Sequence, residues 1–120
     1  MKLYITRDSV AAGDDFDAPH VRNATTPDDA DVSQIVAACL AASPLPTIAG
    51  GHATWALSSG VPLALIAQQW ASPKLISQIP PNHKHLDHSG GTLRLHFTYF
   101  EQQSPDAVFS VLERLRLHAE

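Results

Sequence analysis

From Val32 to Pro73 the chain carries no Asp, Glu, Lys or Arg. A stretch that long without charge must be taken out of water, either in a membrane or in the core of a folded domain. Pro44, Pro46, Gly50, Gly51, Gly60 and Pro62 interrupt it, with Ser and Gln between them. Its longest clean apolar run, Leu63 to Ala67, falls far short of the ~20 residues of a spanning helix. The segment therefore reads as buried strands and a helix stripe. The flanks read differently. Residues 1–31 hold seven of the 12 acidic side chains against Lys2, Arg7 and Arg22, a balance of minus four that equals the net charge of the whole chain. From Lys74 onward five acids face five bases and cancel. The chain thus predicts a neutral core with one acidic end.

With 120 residues, 44% hydrophobic and 17% charged, the sequence suits a single compact domain, which at this size buries about two-thirds of its unfolded surface. Cys39 is the lone cysteine, so no internal disulfide forms and a reducing, cytoplasmic setting is expected. The opening MKLYITRDSV alternates like a strand and lacks a secretory apolar stretch.

Leu3 to Thr6 reads as a strand, and Val21 to Thr25 as an edge strand pairing back onto it. Asp31 with Gln34 three residues on forms a capping box, and Val32, Ile35, Val36, Cys39 and Leu40 then fall on one helical stripe that ends at Ser43-Pro44. Thr47 to Ala49, Ala53 to Leu57 and Leu63 to Trp70 read as strands, the last apolar on both faces and so central. Lys74 to Ile79 is a further strand or short helix. Leu93, Leu95, Phe97 and Tyr99 alternate with polar residues as a half-buried strand. Ser104-Pro105-Asp106 opens a second helix whose buried stripe is Val108, Val111, Leu112 and Leu115, widened by Phe109. The fold expected is α+β: a mostly antiparallel sheet of about five to six strands covered by two helices.

One string carries chemistry. His83, His85, Asp87 and His88, followed by Gly90 and Gly91, resemble the H-x-H-x-D-H segment of the metallo-β-lactamase superfamily, in which two cations activate a bridging water. The resemblance covers about ten residues, and the family's further ligands would have to come from His96, Asp106 or His118, which sit on the strand, in the helix start and at the helix end. The segment therefore reads as a solvated loop, with no metal or cofactor expected; a small metal-dependent hydrolase using these four residues is the alternative. Ser58-Ser59-Gly60 lacks a nucleophile elbow and shows no acid–His pair beside it in sequence. Cys39 lies on the apolar stripe and reads as a buried thiol. Trp55 and Trp70 read as core or sheet-face residues. No basic patch exists to hold nucleic acid directly.

What remains is a surface. The Asp14-Asp15-Phe16-Asp17 loop, the Pro27-Asp28-Asp29 helix start and the missing catalytic set resemble, in whole-chain composition, the small bacterial immunity proteins of contact-dependent growth inhibition and polymorphic toxin systems. That resemblance implies a non-catalytic monomer or weak homodimer. It would dock an acidic face, through Asp14, Asp15, Phe16, Asp17, Asp28 and Asp29, on a basic protein partner, a nuclease toxin domain whose active site it covers.

Overall fold

The structure, a computed structural model, describes residues 1–10, 20–76 and 82–118. Strand β1 (Lys2–Arg7) sends Leu3 and Ile5 into the core and leaves Tyr4 and Thr6 on the opposite face. The period of two along a strand forces that division. β2 (Arg22–Thr25) pairs antiparallel with it as the expected edge. The chain then crosses over as α1 (Val32–Ala42) and returns as β3 (Thr54–Ser58), β4 (Pro62–Ala67) and a two-residue β5 (Lys74–Leu75). A short β6 (His88–Ser89) leads into β7 (Thr92–Tyr99), and α2 (Pro105–His118) follows.

The strand order is β2-β1-β7-β3-β4-β5. β7 thus inserts between β1 and β3, lying parallel to β1 and antiparallel to β3. The other pairings are antiparallel, so the α+β reading and the mostly antiparallel sheet are both correct. The parallel β1–β7 ladder is the exception. Beneath α1 lies the main core: Val32, Ile35, Val36 and Cys39 pack with Leu3, Ile5, Trp55, Leu57, Leu63, Leu93, Leu95 and Phe97. On the other face a smaller core joins Val108 and Leu112 of α2 to Ala56, Leu65 and Ile76.

Several local expectations need correction. Thr47 to Ala49 is not a strand. Instead the Gln68 side-chain amide takes the place of a neighbouring strand, accepting from Ile48 N–H at 2.8 Å and donating to its carbonyl at 3.1 Å. β4 is next to the edge strand and not central, yet Leu63, Ala64 and Leu65 are wholly buried because the two cores meet it from opposite faces. Of Lys74 to Ile79 only the first two residues form a strand, and residues 77–81 lie outside the described part. The α2 stripe is narrower than its pattern: Val108 and Leu112 are buried, whereas Val111 and Leu115 are 56% and 58% exposed. Phe109 meets Lys74 of β5 through a cation–π contact at 4.2 Å. At 100° per residue, Val111 and Leu115 fall on the helix flank away from Phe109 and therefore away from the β5 edge.

Both helix starts behave as read. Asp31 Oδ1 accepts from Gln34 N–H at 2.8 Å, and Gln34 Oε1 accepts from Asp31 N–H at 2.8 Å. Ser104 Oγ accepts from Ala107 N–H at a looser 3.4 Å. Asp31→Ala is expected to cost about 1–2 kcal/mol and Ser104→Ala about 0.5–1 kcal/mol in denaturant unfolding. The reverse order would show that the capping geometry is wrong.

Candidate functional site

Because α2 sits over β3, β4 and β5, no element among the described residues covers the same face of β1 and β7. Registry fills it with polar side chains. Tyr4 lies opposite Arg94, and Thr6 lies opposite His96, which in turn lies opposite Ser58. These residues, with Ser59, Gly60, Asp87 and Leu95, line an open cavity of about 380 Å³.

A chain of hydrogen bonds runs along its floor. His96 Nδ1 is 2.6 Å from Thr6 Oγ1, and His96 Nε2 is 2.8 Å from Asp8 Oδ1. Asp8 is held in turn: its Oδ2 accepts from Tyr99 N–H at 2.9 Å and its own N–H donates to Phe97 O at 3.0 Å. An ionised carboxylate only accepts, so in the neutral ring the proton resides on Nε2 and Nδ1 is left to accept from the Thr6 hydroxyl. The competing acceptor for that hydroxyl, Leu95 O, is 3.5 Å away and loses on distance.

Sequence reading missed this constellation. Asp8 and His96 are 88 residues apart, and only the parallel β1–β7 register brings them together. The two polar alternations, Tyr4-Thr6-Asp8 and Arg94-His96-Thr98, were the available signal.

Ser59 is structural. Buried, it donates to Arg94 O at 2.7 Å and accepts from Asp87 N–H at 3.0 Å, which fastens the His83–Asp87 loop to the sheet. Asp87 Oδ1 also accepts from Arg94 Nη2 at 2.9 Å, and this bond, with the charge behind it, holds the Arg94 guanidinium still more firmly protonated. The pair is largely exposed, so it adds little stability.

The His83–His88 segment is held by hydrogen bonds among its own residues and to Asp28 and Arg94. Asp87 is engaged by Arg94, and His85 is exposed. His83 Nδ1 and His88 Nε2 stand 3.2 Å apart, His88 Nε2 also donates to His83 O at 2.8 Å, and His83 Nε2 donates to Asp28 O at 2.7 Å. Among the described residues no three His, Cys, Asp or Glu side chains converge as metal ligands. The glycines that follow serve the backbone: Gly90 and Gly91 adopt φ of 59° and 81°, and Ser89 pairs with Thr92 across them. Two consecutive positive φ angles define the tight hairpin turn joining β6 to β7.

Of the residues expected to bind a partner, Asp14, Asp15, Phe16 and Asp17 lie outside the described residues. Asp28 and Asp29 are exposed beside the end of β2. The amino group of Met1 sits 2.7 Å from Asp28 Oδ1, and that hydrogen bond and charge hold the carboxyl below its usual range. His83 and Asp28 thus bring the histidine loop and the acidic helix start together.

Trp55 is buried and packs against Tyr99 at a centroid distance of 4.6 Å, while Trp70 is half-buried against the α2 core. Among the described residues no helix is long and apolar enough to cross a membrane. Comparison with protein families, with characterised proteins and with solved structures gave no match. Fold and site together define a small α+β domain with one sheet face half open.

Cys39 is fully buried on α1, and burial pushes its thiol up to about 12. At pH near 8 a thiol reagent should therefore modify Cys39 only as fast as the protein opens, and immediately once it is denatured. Rapid modification of the native protein would contradict the placement of α1.

Proposed function

We propose that this chain is a protein-binding domain that docks an acidic rim on a basic partner, in the manner of an immunity protein covering the active site of a nuclease toxin domain. The observation that carries the reading is where the acidic residues fall. The net charge of the molecule is confined to residues 1–31, and both connections flanking the exposed edge strand β2 belong to that segment.

Rigidity supports it at one end. Asp28 and Asp29 stand exposed on a segment held by the Asp31 capping box, by Met1 and by His83. Charges fixed in place lose little entropy on meeting a partner. Their common sign steers a basic protein toward the β2 edge and raises the association rate, while side chains at the centre of the contact supply the affinity. In this reading the partner belongs to the cytoplasm, and the bound domain acts by occlusion.

Replacing Asp14, Asp15 and Asp17 together by Asn, with Asp28 and Asp29 replaced in a second variant, should leave the melting curve nearly unchanged. Both variants should slow association with the basic partner and flatten its salt dependence. Association kinetics measured against ionic strength decide the matter. Unchanged on-rates in both variants would remove the acidic rim from the interface.

A further inference from the structure

We propose that Thr6, His96 and Asp8 act as nucleophile, base and orienting carboxylate, transferring a small acyl group from an activated ester in the cavity over β1 and β7. The requirement for such a unit is geometric: a hydroxyl within hydrogen-bond reach of a base, and the base held by a third group. The distances of 2.6 Å from Thr6 Oγ1 to His96 Nδ1 and 2.8 Å from His96 Nε2 to Asp8 Oδ1 meet it. Asp8 is fixed further by the Tyr99 and Phe97 backbone, so the ring cannot drift.

The arrangement also faces the right way. Thr6 and His96 line the cavity, whereas Asp8 does not. The reacting pair is open to a ligand, and the carboxylate holds the ring from outside the cavity, on a side chain that is itself partly exposed. The volume of about 380 Å³ suits a small molecule. Arg94, two residues from His96 on the same face of β7, gives one N–H to Asp87; a guanidinium has five. Arg94 and Ser58 thus place N–H and O–H donors on the same cavity wall, where a carbonyl oxygen could accept them. Tyr4, opposite Arg94, closes one side.

In the forward step Thr6 Oγ1 bonds to the carbonyl carbon while its proton passes to His96 Nδ1. The tetrahedral species then collapses, the C–O bond of the ester breaks, and the leaving alcohol takes the proton from His96. Water repeats the sequence on the acyl-threonine, with His96 again as base, and releases the carboxylic acid. None of the acidic rim residues takes part, so this proposal and the docking proposal can fail independently.

The test uses p-nitrophenyl acetate with the intact chain. Wild-type protein should release p-nitrophenolate faster than an equimolar histidine peptide, with an acetyl group mapped to Thr6 by mass spectrometry after acid quench. Thr6→Val keeps the shape and removes the hydroxyl, and should lose about 100-fold in rate, whereas Thr6→Ser should retain activity. Asp8 is a positioning residue. Asp8→Asn places a donor beside Nε2, so nitrogen-15 NMR should show the His96 proton moving to Nδ1 as the rate falls. Equal rates in wild type and Thr6→Val, or acetylation confined to amines in the wild-type protein, would overturn the proposal. So would an Asp8→Asn variant with the wild-type tautomer and rate. The mapping on wild type and the Asp8→Asn spectrum decide the outcome even if Thr6→Val does not fold.

Discussion

The parallel pairing of β1 with β7 is the interaction on which the rest of this structure depends. It joins the first residues of the chain to residues 92–97, residue for residue from Lys2↔Thr92 to Arg7↔Phe97. On one face that register stacks Leu3 and Ile5 with Leu93, Leu95 and Phe97 under α1. On the other it sets Tyr4 against Arg94 and Thr6 against His96. A slip of one residue would turn every one of these side chains to the wrong face. Burial of the apolar set, at roughly 1.5–3 kcal/mol per large side chain, fixes the register and the polar set follows without further cost.

Cover is unequal on the two faces. α1 and its charge-free stripe close the main core completely, and Ile35 and Cys39 are wholly buried. α2 closes only the β3–β4–β5 half of the second face, through Val108 and Leu112. Its flank with Val111 and Leu115 stays in solvent. Among the described residues, that inequality leaves a polar floor over β1 and β7 uncovered, and the proposed chemistry is confined to it. The proposed docking rim belongs to the β2 edge and its acidic connections. The two readings use different parts of one sheet.

Much of this was legible in the residues. The uncharged middle implied a core, and the Asp31–Gln34 box and Ser104-Pro105 marked both helix starts. Alternation along Leu93 to Tyr99 gave the longest strand. Other features are settled by contacts that a linear reading cannot see. Thr47 to Ala49 has strand-like residues, but Gln68 pairs with it before any strand does. The α2 stripe is apolar at 111 and 115, yet only sheet geometry decides which of its residues have something to bury against. The His83–His88 string resembled a metal motif because spacing records identity and not direction: the Asp87 carboxylate accepts from Arg94, while its backbone N–H donates to Ser59. The Asp8–His96 pair stayed hidden for the opposite reason, since contact order and not local pattern brings it together.

The most direct measurement is the nuclear Overhauser spectrum of the folded protein in the region of the His96 ring. The structure predicts contacts from the Thr6 methyl group to the His96 ring protons, together with strong backbone contacts across the β1–β7 ladder. Contacts from His96 to Ile5 or Arg7 in place of Thr6 would show a slipped ladder, and both the core and the polar floor described above would then be wrong.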